Sequence, residues 1–285
     1  MKKLLLIPNH KKDKELKTTL EIIKELSSAG ILVYISRQFF EYDIKGVEFY
    51  DYIPQDISMI IVVGGDGSII DASALAVELD VPILGVNLGK VGYLSEVDAD
   101  NIKMLNRLAT GDYQIEERML LSVAKKDAFG GSEQVMRLAV NDVVASHADY
   151  FGISDFVVEN GNGDRINYRA DGVVIATPVG STAYSLSSGG PIISHSLNTI
   201  SVTPVSPHSF FNRTIVFNAN ETVTVTNSGE NRMNISIDGR LAAWLDQSES
   251  CLIEKDEKKL KMVTFVQDNM FAVLFKKIKL FEEKK

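Results

Sequence analysis

The stretch Met-Ile-Ile-Val-Val-Gly-Gly-Asp-Gly-Ser, residues 59–68, determines the fold of the first part of the chain. Its first five residues form a continuous apolar run, which is typical of a strand covered on both faces. Glycines and Asp66 follow directly, and a helical pattern of apolar residues begins at Ile69. A buried strand that turns through glycines into a helix indicates a βαβ unit in a parallel sheet.

The same alternation of strand and helix extends on both sides of this stretch. Strands are predicted at residues 4–7, 31–35 and 82–86, and helices at 16–26, 69–79 and 102–108. Gly30, just past the first helix, is a typical helix-ending residue. We therefore expect residues 1–117 to form an α/β domain with a mostly parallel sheet.

The pattern changes near Arg118 to short strand-like runs separated by turn residues. These runs lie at residues 120–124, 140–145, 156–159, 166–169, 172–176, 214–217, 222–225, 234–238 and 260–265. The dipeptide Asn162-Gly163 between two of them predicts a hairpin turn. We expect an all-β domain at residues 118–266. A last helical pattern at 270–279 is predicted to pack, within residues 267–285, back on the first domain.

Composition restricts the class of protein. The chain has 285 residues, of which 45% are apolar and 24% charged, as in a soluble protein of about two domains. A net charge of −8 argues against nucleic acid as a partner. The single cysteine, Cys251, favours a reducing compartment, and with no signal segment evident we expect the cytoplasm.

One long stretch, residues 173–212, has no charged side chain. It is rich in Ser, Thr, Gly, Pro and Asn, whereas a membrane span needs about 20 predominantly apolar residues. We therefore interpret it as a buried or ligand-facing segment, and we expect no membrane as a partner.

The loop Gly64-Gly65-Asp66-Gly67-Ser68 is the first candidate for chemistry. Its glycines let backbone approach a ligand, and a helix N-terminus favours phosphate through its free N–H groups. Asp66 is unusual beside phosphate, where a carboxylate serves to bind a metal or accept a proton. The alternative is a plain strand-to-helix turn capped by Asp66. Two other phosphate-loop patterns fail: the Walker pattern is one residue short at 85–90, and the dinucleotide pattern lacks its third glycine at Ile70.

Three further stretches are candidates. Residues 84–94 follow the next strand, so their glycine-rich loop is expected at the same sheet edge; a simple loop is the alternative. Asn141-Asp142 lies inside the predicted strand 139–145, where an amide beside a carboxylate suits a nucleoside, or else a bulge or edge. Residues 171–185 run from a strand through a Pro/Gly turn into small hydroxyl residues and Tyr184, which suit a base and sugars.

The histidines do not predict a metal centre. His10, His147, His195 and His208 lack metal-ligand spacing, and no paired-cysteine pattern occurs. We therefore predict no protein metal site.

Taken together, these stretches resemble the NAD kinase family. The matching motifs are GGDGS at 64–68, the Asn-x-Gly-x-x-Gly-aromatic run at 87–93, Asn-acid at 141–142, DGVVIATPVGSTAYSLSSGGP at 171–191, TPVSPH at 203–208 and Asp-Gly at 238–239. GGDG alone also occurs in lipid kinases and phosphofructokinases, whereas the 171–191 stretch is much more specific.

The resemblance implies a fold, an activity and partners. It implies an N-terminal α/β domain, a β-sandwich-like C-terminal domain, an active site between them, and homotetramers or homodimers. It implies that the γ-phosphoryl group of ATP, or a phosphoryl group of polyphosphate, moves to the 2′-hydroxyl of the adenosine ribose of NAD. Mg²⁺ or Mn²⁺ would accompany ATP as the cofactor.

The resemblance also assigns roles to residues. Asp66 would be catalytic beside the attacking hydroxyl, and the phosphate-binding set would be Gly64, Gly65, Gly67 and Ser68. The implied NAD-binding residues are Asp66 and Gly67; Tyr93 near adenine; Asn141 and Asp142 at the base and ribose; Asp171 towards the nicotinamide half; Thr182, Ala183 and Tyr184 lining the base and sugar site; and Asp238 close to the dinucleotide.

Three positions depart from the family pattern. Asp142 stands where Glu is usual, Val179 where Thr or Ser is usual, and Arg240 where Gln often follows Asp-Gly. Rival interpretations are a lipid kinase, which would need a Gly-Thr-Gly-Asn type loop, an NAD-dependent oxidoreductase, and an NAD-binding sensor without activity. The first two lack their motifs in this chain, and the intact Asp66 disfavours the third.

Overall fold

The structure is a computed structural model that describes residues 2–89, 92–128, 133–148, 152–208 and 211–265. The chain divides into two compact units, with a boundary between Glu117 and Arg118 and a second crossing between Lys259 and Leu260. The helix predicted at 270–279, and its packing within 267–285, lie outside the described residues. No helix of the described part is long and apolar enough to cross a membrane.

The first unit is built on a parallel sheet. Its strands are β1 (Lys3–Pro8), β2 (Leu32–Ser36), β3 (Val47–Tyr50), β4 (Met59–Gly64), β5 (Ile83–Asn87) and β6 (Val97–Asp98). They follow the order β6-β5-β4-β1-β2-β3, and every pair among them is parallel. β4 is buried along its whole length, as its continuous apolar sequence predicts.

Helices of the first unit connect these strands. They are α1 (Lys17–Ser28), α2 (Asp66–Glu78) and α3 (Arg107–Thr110), with 3-10 turns at Lys14–Leu16, Arg37–Tyr42 and Ala99–Asn106. α1 buries Ile22, Ile23 and Leu26 in the core, whereas Leu20, on the predicted apolar face, is 40% exposed. Strands and helices share one apolar core.

The second unit is antiparallel. Its strands are β7 (Gln114–Lys126), β8 (Glu133–Val135), β9 (Asp142–His147), β10 (Ser154–Asn160), β11 (Arg165–Ala170), β12 (Gly172–Ala176), β13 (Thr199–Val205), β14 (Ile215–Asn218), β15 (Val223–Asn227), β16 (Met233–Ile237), β17 (Arg240–Leu245) and β18 (Ser250–Thr264), of which β7 begins and β18 ends in the first unit. One sheet has the order β14-β13-β12-β9-β16-β17, and a second contains β11-β10-β15-β18. Both sheets bury residues in one core, so the unit is sandwich-like.

The fold class predicted from the sequence is thus confirmed, and several elements differ from expectation. The helix predicted at 69–79 begins earlier, at Asp66, because Gly65 already serves as its N-cap. The helix predicted at 102–108 is a 3-10 segment with a kink at Asn101, followed by the one-turn α3. Strands β3, β6, β8, β13 and β17 were not predicted, and β18 is far longer than the predicted 260–265.

Two of these differences concern candidate residues. The strand predicted at 139–145 begins only at Asp142, so Asn141 precedes it, and β9 lies between β12 and β16 rather than at an edge. The strand predicted at 234–238 ends at Ile237, because Asp238 adopts a left-handed turn conformation with φ +49°. The hairpin at Asn162-Gly163 joins β10 and β11 as predicted.

The N-terminus of α1 yields a stability prediction. Asp13 is 4% exposed, and its carboxylate accepts hydrogen bonds from the Thr18 and Thr19 N–H groups and the Thr19 hydroxyl. Asp13→Ala removes these charge-assisted bonds and leaves buried donors unpaired, at a cost of about 1–3 kcal/mol. Urea unfolding measures this loss.

Asp56→Ala is the matched control, because Asp56 only pairs with Lys3 at the surface of the same unit. Such exposed pairs contribute little to stability, because solvent and salt screen their charges. Equal losses for the two variants would contradict the capping role of Asp13.

Candidate active site

In the first unit, two glycine-rich loops meet at one edge of the parallel sheet. β4 ends at Gly64 beside Asn87 at the end of β5, and the Leu88 N–H donates to the Gly64 carbonyl over 2.7 Å. The prediction that both loops lie at the same edge is therefore confirmed. The carboxyl ends of parallel strands are where open α/β sheets bind ligands.

Gly64 is required by packing inside this loop. A Cβ there would lie 2.5 Å from the Ser68 hydroxyl oxygen and 3.4 Å from the Asn9 Cβ. The Asn9 amide donates to that hydroxyl over 2.8 Å, and the Ser68 N–H donates to the Gly65 carbonyl over 2.8 Å. The first turn of α2 is thus tied to the end of β1.

Asp66, the first residue of α2, joins the two loops. One carboxylate oxygen accepts the Tyr93 N–H over 2.9 Å, and the other accepts the Leu94 N–H over 3.1 Å. Gly92 makes room for this contact, because a Cβ there would lie 2.7 Å from the Asp66 Oδ1. The pKa of the Tyr93 phenol is raised by burial and then by the charge of Asp66.

Asn87 has an internal role in the second loop. Its side-chain oxygen accepts the Gly89 N–H over 2.9 Å, while its amide nitrogen lies 3.2 Å from the Gly89 carbonyl and 3.4 Å from Asp98. Gly89 therefore belongs to an Asn-centred turn, which is the simple-loop feature that the sequence left open.

Two residues at this edge were not identified as site candidates from the sequence. Asn9 follows β1 directly, and Lys12 brings its ammonium to the glycine loop, since a Cβ on Gly65 would lie 3.0 Å from its Nζ. Applying the same rule about the carboxyl ends of strands to β1 would have found Asn9. Lys12 supplies a positive charge beside a loop suited to phosphate.

In the second unit, the candidate residues gather at one end of the six-stranded sheet. Asp142 starts β9 opposite Ala176, the last residue of β12, and Ile237 precedes the β16–β17 turn. This turn is Asp238-Gly239, with φ +49° and +75°, the two left-handed residues of a type I′ hairpin.

The Asp238 carboxylate is bound by backbone. It accepts N–H groups from Val140 over 2.9 Å, Asn141 over 2.8 Å and Asp142 over 3.2 Å. The Asp238 N–H in turn donates to the Asp142 carbonyl over 3.0 Å. These bonds hold the segment that leads into β9 against the turn.

Asp142 is a buried acid at this position, only 5% exposed. Burial, and then the charge of Asp238, raise its pKa to about 7. Its neighbours β12 and β16 carry no titratable side chain. Among the described residues, no side chain or backbone group donates to its carboxylate.

The hydroxyl-rich segment after β12 lies against the same place. Gly180 packs on the chain at Asn141, since a Cβ there would lie 1.9 Å from the Asn141 carbonyl oxygen. The segment forms a 3-10 turn at Gly180–Thr182 and the one-turn α4 (Tyr184–Ser187). Tyr184 is 45% exposed.

The predicted site residues thus fall into separate groups. The first unit brings together Gly64, Gly65, Asp66, Gly67, Ser68 and Tyr93. The second brings together Asn141, Asp142 and Asp238, and Thr182, Ala183 and Tyr184 follow Gly180, which packs on Asn141. Asp171 lies apart, because it precedes β12 at the opposite end from Ala176, about 16 Å away at roughly 3.3 Å per residue.

Acidic and imidazole side chains do not cluster in the part of the chain that the structure describes. No three His, Cys, Asp or Glu side chains there are grouped so that they could hold a metal ion. The arrangement instead offers glycine-lined backbone, a lysine and single carboxylates, which suit phosphate and hydroxyl groups.

Comparison with known proteins gives two family matches. Residues 4–113 match the model of the ATP-NAD kinase N-terminal domain, and residues 140–265 match that of the ATP-NAD kinase C-terminal domain. The two matches cover most of the chain and share its order of units.

Similar proteins agree. An NAD kinase of Lachnoclostridium phytofermentans is 35% identical over 290 residues, covering 96% of this chain and 98% of the relative, and one of Geobacter sulfurreducens is 36% identical over 233 residues, covering 80% and 81%. A yeast NADH kinase complexed with NADH superposes with a TM-score of 0.85 at 20% identity, covering 96% and 86% of the chains. An Archaeoglobus fulgidus NAD kinase in complex with ATP gives 0.74 at 23%, covering 97% and 98%.

Proposed function

The chain belongs to the NAD kinase family and converts NAD to NADP, and we propose that Asp66 is the carboxylate that receives the attacking 2′-hydroxyl. The observation that carries this proposal is the Asp66 carboxylate, fixed by two backbone N–H groups at the start of α2. It lies in the glycine loop at the carboxyl edge of the sheet.

Asp66 keeps acceptor capacity for a hydroxyl group. A carboxylate has about four lone-pair sites, and the N–H groups of Tyr93 and Leu94 use one on each oxygen. The remaining sites accept the 2′-hydroxyl proton and orient the oxygen for attack on the donor phosphorus. Phosphoryl transfer leaves the protein mainly with positioning and charge compensation. The α2 N-terminus and Lys12 supply positive potential for the phosphates.

Asp66→Asn is expected to lower kcat for NADP formation by about 10²–10⁴-fold, because an amide is no base. The substitution also replaces one carboxylate oxygen, which accepts a backbone N–H, by an NH2 group, which cannot accept it. Steady-state kinetics at saturating NAD and ATP measure the loss, with circular dichroism to verify folding. Asp71→Asn, on the exposed side of α2, is the control. A kcat for Asp66→Asn near that of the control would refute the role of Asp66.

For recognition of NAD, we propose a pocket at Asn141, Asp142, Thr182, Ala183 and Tyr184. These residues come from distant parts of the sequence and lie at one end of the six-stranded sheet. In Asp142 the carboxylate is buried and lacks a hydrogen-bond donor among the described residues, so a ribose hydroxyl would satisfy it. A buried acceptor gains most from such a bond because leaving it unpaired is costly.

Asp142→Ala is expected to raise KM for NAD roughly 5- to 150-fold, which corresponds to about 1–3 kcal/mol for the lost bond. Asp142→Glu, the usual family residue, should retain or improve affinity. Kinetics at fixed ATP measure both. An unchanged KM for Asp142→Ala would show that the shorter side chain does not reach NAD, and unchanged values for Asn141→Ala and Tyr184→Ala as well would exclude this pocket.

The pH dependence has a definite sign. Because the pKa of Asp142 is raised to about 7, the folded protein keeps this proton up to neutral pH. The ionised carboxylate is the stronger acceptor for a ribose hydroxyl, so KM for NAD should fall as pH rises through 7. The same raised pKa lowers the free energy of unfolding as the pH rises from about 4 to about 7, because the native state binds more protons than the unfolded state in this range. Asp142→Asn should abolish both trends.

We propose that the divalent cation arrives with the donor. Mg²⁺ usually rides on substrate phosphates with few protein ligands, and it neutralises their developing charge. NADP formation should require Mg²⁺ or Mn²⁺ with ATP and stop with EDTA, and parallel assays should include other nucleoside triphosphates and polyphosphate. Tight binding of the cation to nucleotide-free protein in calorimetry would contradict this proposal.

We also propose that the enzyme acts as a homodimer or homotetramer. The edge strand β17 exposes 55% of Leu241 and 49% of Trp244, and exposed apolar side chains on a sheet edge favour a partner. Asp171 lies at the opposite end of β12 from the residue paired with Asp142, and we propose that the Asp171 that contacts NAD comes from a second copy.

Complementation tests this assembly. Asp66→Asn and Asp171→Ala should each be poorly active, whereas mixed oligomers should regain part of the wild-type rate, because some sites receive an intact Asp66 and an intact Asp171 from different copies. Sedimentation verifies the mixed species. A monomeric active enzyme, or verified mixed oligomers without recovery, would refute the proposal.

A further inference from the structure

Among the described residues, two residues, Asp238 and Thr177, supply the hydrogen bonds to the backbone of Val140, Asn141 and Asp142 that lie outside the regular strand ladders. Their three N–H groups donate to the Asp238 carboxylate over 2.8–3.2 Å. The Val140 carbonyl accepts the Thr177 hydroxyl over 2.7 Å, and the Asn141 carbonyl accepts the Thr177 N–H over 2.9 Å. The Asp142 carbonyl accepts the Asp238 N–H over 3.0 Å.

All six backbone polar groups of this segment are therefore satisfied. Buried backbone groups must be paired, and in the part of the chain that the structure describes Asp238 and Thr177 supply all of these partners. Within the described residues, the side chains of Asn141 and Asp142 have no hydrogen-bond partner, so they are the polar groups left for a ligand.

We infer that Asp238 and Thr177 are positioning residues that aim Asn141 and Asp142 at NAD, rather than ligands of the dinucleotide. This inference rests on the proposed pocket, and it revises the direct role that the family resemblance suggests for Asp238. Three of about four acceptor sites on the Asp238 carboxylate are already occupied by N–H groups.

The surroundings of both residues support this role. The position of Asp238 is fixed by its left-handed backbone conformation, with φ +49°, which residues with short polar side chains such as Asp tolerate. Thr177 is fully buried, and its hydroxyl also accepts the Gly180 N–H over 3.0 Å. One threonine thus ties the segment before β9 to the 3-10 turn before Tyr184.

A double-mutant cycle separates positioning from direct contact. Asp238→Asn should weaken NAD binding by roughly 5- to 150-fold in calorimetry, because it removes one acceptor and the charge. If Asp238 acts through Asp142, the same substitution should cost several-fold less in an Asp142→Ala background. Additive losses would mean that Asp238 contacts NAD itself and would overturn the inference.

The pH profile gives a second readout that a purely structural role would not move. The charge of Asp238 is one cause of the raised pKa of Asp142, and β12 and β16 contribute no other titratable group. In Asp238→Asn, the pH at which NAD affinity rises should therefore shift downward. An unchanged midpoint would count against coupling between the two acids.

A control variant and a second pair of variants separate loss of positioning from misfolding. Asp246→Asn, which breaks only an exposed pair with Arg232 in the same unit, should bind NAD like the wild type. If Asp238→Asn fails to fold, Thr177→Val should weaken NAD binding while Thr177→Ser retains it, and equal affinity for these two variants would overturn the inference. Absence of NADP formation by the wild type would instead refute the proposed function.

Discussion

A carboxylate that accepts consecutive backbone N–H groups is the interaction on which both groups of candidate residues depend. In the second unit, Asp238 accepts the N–H groups of residues 140–142, and in the first unit, Asp66 accepts those of Tyr93 and Leu94. Such charge-assisted bonds are about twice as strong as neutral ones, so each fixes a loop that secondary structure does not hold.

The two carboxylates differ in what they leave available. Asp66 lies at a helix start in a glycine loop, and its remaining lone pairs can take part in chemistry. Most acceptor sites of the Asp238 carboxylate are occupied by backbone N–H groups, so we infer that Asp238 acts by orienting Asn141 and Asp142. The burial of Asp142, together with this charge, raises its pKa to about 7. In the proposed pocket, we therefore expect NAD binding and the protonation of Asp142 to be coupled through one hairpin turn.

The sequence predicts much of this arrangement because its signals are local. The apolar run before Gly64 predicts β4, and the order of strands and helices predicts a parallel sheet whose loops share an edge. The change to short runs near Arg118 predicts the antiparallel unit. The helix predicted at 102–108 was wrong in type, because apolar spacing alone does not distinguish a 3-10 segment from an α-helix.

What the sequence could not predict depends on tertiary contacts. Thr177 and Asp238 are 61 positions apart, and nothing local shows that they satisfy the same three residues. Asn9 and Lys12 likewise matter only because β1 lies beside β4. Asp171 belongs to the most specific motif, yet its place at the far end of β12 separates it from the residues that the motif groups with it.

Amide hydrogen exchange in the nucleotide-free protein reports whether each of these N–H groups is bonded before any ligand binds. We expect the amides of Tyr93, Leu94, Val140, Asn141 and Asp142 to be protected. Asp66→Asn should expose only the first two, and Asp238→Asn only the last three. Exchange of these amides in the wild type at the rate of exposed loop amides would contradict it.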